Sequence, residues 1–371
     1  FPVHFFLHTF SDNSRSVYEA TLERQDITNI ILTRGKPVDA PSRADTIVVP
    51  MLSFAAMWHL LRAKVIVVQH SLYLDMAPLR LHDRFFFNVT GRILFNTWHG
   101  IPIKSLRAAS SGIHIRPIRR EIKRHHLCAS SRIDQLAMTV SFYPIPPSNV
   151  HITGAPRNDF LVIVEDELPS YCRKQLTYIR NLTKGRKLVV YAPTYRELLL
   201  GGSYYSFSDE EITRLKKILR ENDAVLGLRL HYFNRQASYA NLLDGELVFD
   251  MDQSDIPDMA MLIREAHVVV TDYSGLFVDA LYLSRPVVSF AYDWQHYMNT
   301  QRGFVYDLEQ VSPLPVCESF DELAELVSSL LSGPNRISSS DYQSAQRIFF
   351  DQIDGKNGRR VVDRIASLVG C

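Results

Sequence analysis

The sequence predicts an α/β protein made of two doubly wound parallel sheets, one per domain, facing a central cleft. Three observations predict it. Short Val/Ile/Leu-rich runs alternate with helical patterns over most of the 371 residues, the habit of parallel βαβ units. The runs are continuous rather than strictly alternating, as in strands buried on both faces. The length fits about two domains of roughly 100–200 residues each.

In the first half, strands are expected at "VHFFLHTF", "ITNIILT", "DTIVVP", "KVIVVQH", "RILFNTW", "HHLCAS" and "NVHITG". Helical spacing appears between several of them, in "SRSVYEATLER" and "SFAAMWHLLRA". The second half repeats the habit with "KLVVYAP", "AVLGLRLH", "ELVFDM", "HVVVTDY" and "RPVVSFAY". A helix beginning after Ser208 is marked by Glu211 three residues on, a capping box. The polar stretch 162–186 reads as the break between domains. Residues 1–170 are then an N-terminal domain and 186–340 a C-terminal one. Residues 341–371 form a terminal helical segment, and one helix is expected there from about 340 to 369.

Hydrophobic content of 46% with 22% charged residues suits a globular enzyme, and a net charge of +1 excludes polyanion binding by bulk charge. The four cysteines show no CxxC or CxxH spacing, so neither structural zinc nor disulfides are expected, and a reducing cytoplasm fits. No run of about eighteen apolar residues and no basic-then-apolar leader is read. The chain begins at Phe1 rather than Met, which leaves room for residues or domains ahead of it.

Ligands of doubly wound sheets sit beyond the carboxyl ends of strands, so the residues placed there matter most. In "HVVVTDYSGLFVDALYL", Ser274 and Gly275 stand at an expected helix start, where N–H groups and the dipole favour an anion. Asp272 and Ser274 also suit simple helix capping. Thr194 and Arg196 end the strand of "YAPTYRE", and His231 ends that of "LRLHYF". Guanidinium, imidazolium and a helix start together suit a diphosphate without a metal. In "FNTWHGIPIKSL", His99 lies between Trp98 and Gly100 at a strand end. An imidazole there suits proton abstraction near neutral pH, and a core histidine bonded to backbone is the alternative. Residues 104–132 carry eight Lys/Arg and three His against one Glu. That run is either a solvated face or a surface for an anionic membrane or acceptor. Aromatic interleaving is absent, so nucleic acid is not an expected partner. "DMD" (Asp250–Asp252) has the form of a metal motif but reads better as a solvated loop, and no metal or other cofactor is expected.

These segments, in order, resemble the CDP-glycerol glycerophosphotransferase family of teichoic-acid polymerases, primases and related capsule polymerases. The resemblance rests on "SDNSRSVYE", "NTWHGIPIKSL", "ITGAPRNDFL", "VVYAPTYRE", "LRLHYF" and the block from "VVVTDYSGLF" to "QRGFVYDL". It implies a GT-B type fold of two facing Rossmann-like domains. It implies transfer of a polyol phosphate from CDP-glycerol or CDP-ribitol to a hydroxyl of a glycan or lipid-linked acceptor, with release of CMP. His99 is then the general base, and His231 and Ser274 meet the donor phosphates. Arg196, Thr194, Asp272, Gly275 and Arg302 fall in donor-site blocks, and Gly100 and Lys104 flank the base. The setting implied is cytoplasmic, peripheral at the inner face of the plasma membrane. Tyr232 stands where the family tends to have proline, Gly275 where it has serine, and Ile101 where a small polar residue is common; these departures leave polyol and acceptor open. A GT-B glycosyltransferase using a nucleotide sugar, and a non-catalytic nucleotide-binding module, are the competing readings.

Overall fold

All twelve expected strands form, and they form two wholly parallel sheets among the described residues. The computed structural model describes residues 1–6, 10–33, 43–70, 92–103, 122–194, 204–230, 239–301, 304–333 and 340–370. The first sheet comprises β1 (Pro2–Phe6), β2 (Thr28–Thr33), β3 (Thr46–Pro50), β4 (Val65–Val68), β5 (Ile93–Asn96), β6 (His125–Ala129) and β7 (Val150–Ile152). Their spatial order is β3-β2-β1-β4-β5-β6-β7. Order reverses between β1 and β4, and the crevice at such a switch point is where doubly wound sheets bind ligands.

Alternate residues of β2, β4 and β5 feed different cores, which is why those runs are continuously apolar. On one face Phe5, Ile31, Val65, Val67 and Phe95 pack with Val17 and Tyr18 of α1 (Asp12–Thr21). On the other Ile30, Leu32, Ile66, Val68 and Leu94 pack with Ala56 and Leu60 of α2 (Phe54–Arg62).

The second sheet comprises β8 (Lys187–Tyr191), β9 (Ala224–Leu228), β10 (Val248–Asp250), β11 (Ala266–Thr271) and β12 (Val287–Ser289). Its order is β10-β9-β8-β11-β12, with the switch between β8 and β11. Val189, Tyr191, Leu226, Val268 and Val270 bury one face under the helices Asp209–Glu221 and Phe320–Ser332. The first of these helices carries the expected capping box, Ser208 with Glu211, and the second has another, Ser319 with Glu322.

The chain divides into two compact units, Phe1–Ile101 with Arg107–Ile163 and Phe350–Cys371, and Pro102–Leu106 with Val164–Phe349. The division therefore falls at 163/164, at the start of the polar stretch that the sequence suggests. Helix Ser170–Thr183 belongs with the second unit, because Gln175 accepts from the Asp258 N–H (2.9 Å) and Arg180 pairs with Glu265 (2.9 Å). The single terminal helix expected from about 340 to 369 is instead two, Ser340–Phe349 and Asn357–Val369. An Asp354-Gly355 turn with Gly355 at φ +69° separates them. The last helix returns to the first unit, where Val361, Val362 and Ile365 join the core beneath α1.

Candidate active site

In the first unit, the carboxyl ends of β1, β4, β5 and β7 deliver Ser11–Asn13, Gln69–His70, Thr97–Gly100 and Thr153–Arg157. Backbone and side-chain bonds knit these loops together. Gln69 donates to the Ser11 carbonyl (3.0 Å), and Asn96 donates to the His70 carbonyl (2.6 Å) while accepting from the Trp98 N–H (2.8 Å). His99 is exposed. Its ring stacks on His70 with centroids 4.7 Å apart and lies 4.1 Å from the Trp98 ring. Trp98 in turn packs edge-on against Phe142 at 4.6 Å. The imidazole is walled by aromatic faces yet open to solvent, so it is not the buried core histidine of the alternative reading.

Gly100 has φ +144°, and a Cβ there would stand 2.7 Å from the Arg157 guanidinium. The backbone conformation calls for glycine, and a side chain would also push the end of Arg157 aside. Arg157 donates from Nη1 to the His99 carbonyl (2.8 Å) and pairs with Asp12 (3.2 Å). Nearby, Asp159 accepts from the N–H groups of Asn357 (2.8 Å) and Gly358 (2.7 Å), fastening the last helix; burial pushes its carboxyl up to about 6 against those bonds.

In the second unit, Asp272 follows β11 at the switch point. Its carboxylate is buried and accepts from the Thr194 N–H (2.8 and 3.0 Å) and the Tyr273 N–H (2.6 Å). It thereby ties the end of β8 to the turn after β11. Ser274 and Gly275 precede the helix Leu276–Tyr282, and the Ser274 hydroxyl accepts from the Leu276 N–H (3.3 Å). Both are half-buried. Below the turn, Tyr273 donates to Asp293 (3.0 Å) and packs with Trp294, Tyr297 and Phe304. Asp272→Ala is expected to destabilise the protein by about 2–5 kcal/mol, since two buried N–H groups lose their acceptor. Denaturant unfolding checks this; unchanged stability with weakened CDP-glycerol binding would assign the carboxylate to the donor instead.

The structure thus brings Thr194, Asp272, Ser274 and Gly275 together in the second unit, and places His99 and Gly100 in the first. Lys104, Arg196, His231 and Arg302, and residues 104–121 of the basic run, lie outside the described residues. In the "DMD" segment, the Asp252 carboxylate accepts from the Ser254 hydroxyl (3.1 Å), as a loop would. No group of His, Cys, Asp and Glu fit to hold a metal occurs among the described residues. Cys128, Cys172 and Cys317 are buried free thiols. Sequence reasoning missed Asp12, Asn13, His70 and Arg157. One available signal was the polar run "SDNSRS", which opens a helix whose Asn13, Ser14, Arg15 and Ser16 are all buried.

The two parallel sheets and their strand-end loops define a protein of the GT-B class. The chain belongs to the CDP-glycerol:poly(glycerophosphate) glycerophosphotransferase family, whose family model matches residues 3–367. It is 26% identical, over 96% of its length, to a teichoic acid poly(glycerol phosphate) polymerase of Bacillus subtilis, of which it spans 47%. It is likewise 26% identical over 96% of its length to a polymerase of the same description from Bacillus spizizenii, spanning 89% of that protein. Among solved structures, the wall teichoic acid polymerase TagF matches over all of this chain and 89% of its own, with TM-score 0.77 and 22% identity.

Proposed function

We propose that this chain transfers a polyol phosphate, glycerol phosphate or ribitol phosphate, from a CDP-polyol to a hydroxyl of a glycan or lipid-linked acceptor in the synthesis of teichoic acid or a related capsule polymer. The observation that carries this reading is the exposed His99 imidazole after β5, stacked on the His70 that follows β4, in a chain of this family. A ring nitrogen of His99 takes the acceptor proton as the acceptor oxygen bonds to the phosphorus bearing the polyol. The bond from that phosphorus to the bridging oxygen breaks, and CMP leaves. Such transfers ask a protein mainly for positioning and charge stabilisation. His231, Arg196, Arg302 and the turn at Ser274 and Gly275 take the phosphates. Thr194 and Asp272 shape that turn, and Gly100 and Lys104 flank the base. No metal or cofactor is assigned a role.

Mass spectrometry of products tests the reading, with CDP-glycerol, CDP-ribitol and a set of UDP- and GDP-sugars as donors and a short poly(glycerol phosphate) primer as acceptor. Polyol-phosphate adducts with CMP release are expected. Glycosyl adducts without them would overturn the reading, and so would donor binding with no product.

We also propose a peripheral setting at the inner face of the plasma membrane. No helix among the described residues is long and apolar enough to cross a membrane. Support comes from α2, whose Phe54, Trp58 and Leu61 share one face and are 97%, 58% and 56% exposed. The Arg62 guanidinium lies 5.2 Å from the Trp58 ring centroid, and Arg92 donates to the Leu61 carbonyl. No Asp or Glu occurs from 46 to 70. An apolar face flanked by Arg62 and Arg92 suits an anionic lipid surface. Phe54→Ser with Trp58→Ser is expected to abolish sedimentation with phosphatidylglycerol vesicles, where wild type sediments with these and not with neutral phosphatidylcholine vesicles. Equal sedimentation of variant and wild type would remove α2 from this role.

A further inference from the structure

Three residues of the first-unit site hold backbone conformations that L side chains avoid: Asp12 at φ +61°, Trp98 at φ +55° and Gly100 at φ +144°. A non-glycine residue in this region costs about 1–2 kcal/mol and persists only where its surroundings over-determine it. Here the surroundings are a small polar network. Asn13 donates from Nδ2 to the Trp98 carbonyl (2.8 Å), and its Oδ1 accepts from the Arg157 N–H (2.9 Å). Arg157 Nη1 donates to the next carbonyl along, that of His99 (2.8 Å), and to both Asp12 oxygens (3.2 and 3.3 Å). Its Nη2 occupies the space beside the Gly100 Cα that a side chain would need. Two consecutive carbonyls flanking the His99 Cα are thereby committed to residues of other strand-end loops. The guanidinium that holds them is itself mostly buried, its side chain 13% exposed.

We propose that Arg157 is a positioning residue for His99, acting as a clamp that fixes the Trp98–Gly100 backbone and so the direction of the imidazole. Asp12 orients the clamp, and Asn13 joins it to the Trp98 carbonyl. Nη1 makes the bonds to the His99 carbonyl and the Asp12 carboxylate, while Nη2 fills the space beside Gly100 that a single ammonium would leave empty. The loss of such a clamp appears in turnover: misplacement of a reacting group by about 1 Å costs roughly 10²-fold. The inference rests on the assignment of His99 as the base.

The test compares Arg157→Ala, Arg157→Lys and His99→Ala with wild type in CMP release from CDP-glycerol onto the poly(glycerol phosphate) primer, together with thermal melting. Arg157→Ala is expected to lower kcat by about 10²-fold with donor KM unchanged. Guanidinium chloride at sub-denaturing concentration should restore part of its activity, an effect that a fold defect would not show. Arg157→Lys, which keeps the charge opposite Asp12, should fall between, and it carries the test if the alanine variant does not fold. Wild-type kcat in Arg157→Ala, or a raised donor KM at unchanged kcat, would overturn the clamp. If His99→Ala turns over like wild type, it is the base assignment that fails; if His99→Ala is inactive and Arg157→Ala is normal, only the clamp fails.

Discussion

His99→Ala is expected to release CMP from CDP-glycerol about 10²–10⁴-fold more slowly than wild type, the usual contribution of a positioned general base. The expectation follows from where the ring stands. β5 ends at Asn96, whose side chain already bonds the His70 carbonyl and the Trp98 N–H, so the chain turns sharply after it. The turn sets the His99 ring between Trp98 and His70 and leaves it open to solvent. Removing the ring takes away the proton acceptor while leaving the loop's backbone bonds, which run through the Trp98 and His99 carbonyls. The variant should therefore fold normally, and its defect should lie in chemistry. CMP release followed by chromatography, with melting as the control, checks both halves.

Gly154→Ala is expected to destabilise the protein by about 2–5 kcal/mol, the sum of a left-handed backbone cost and overpacking. Gly154 has φ +81°, and a Cβ would fall 1.8 Å from Asn357 Oδ1 and 2.4 Å from its Cγ. Asn357 has no room to retreat. It is fully buried, its N–H is held by Asp159, and its Oδ1 accepts from Arg360. Arg360 also donates to the Thr153 carbonyl (3.0 Å) and pairs with Asp354 (2.9 Å). An added methyl therefore displaces the start of the last helix, and with it Val361, Val362 and Ile365 from the core under α1. Differential scanning calorimetry should show an earlier unfolding transition; an unchanged profile would mean that the helix is not anchored at this glycine.

Much of the fold was legible because both-face burial writes itself into sequence. Residues such as Val65–Val68 are buried one after another, each feeding one of two cores, and no surface element has that run. The capping box at Ser208 was likewise readable, since its two partners are three residues apart. The division between units falls where the polar stretch begins, but the unit that its helix joins was not legible from polarity. Helix Ser170–Thr183 has a polar face, yet Gln175 and Arg180 on it are spent on Asp258 and Glu265 of the second unit. The break in the terminal helix had a signal, the Asp-Gly pair at 354–355, which helical periodicity on either side outweighed.

The candidate site was legible in part. Trp-His-Gly at a strand end left His99 as either a proton acceptor or a core histidine, and the resemblance gave it the role of base; its ring is exposed. Asp272 and Ser274 could be read as caps or as donor contacts. The structure shows the Asp272 carboxylate engaged by backbone N–H groups, and the Ser274 hydroxyl engaged at the helix start. Arg157 was hidden by distance in the chain. It meets Asp12 across 145 residues and His99 across 58, and nothing local in "GAPRND" announces either meeting.

The central claim is that the two histidines divide the reaction, His99 moving the acceptor proton and His231 serving the donor phosphates. Calorimetric titration of CDP-glycerol into His99→Ala and His231→Ala, set beside their CMP release, tests it most directly. The account predicts wild-type donor affinity with turnover lowered about 10²–10⁴-fold for His99→Ala, and weakened affinity with lost turnover for His231→Ala. Lost donor affinity in His99→Ala, or wild-type turnover there, would contradict it.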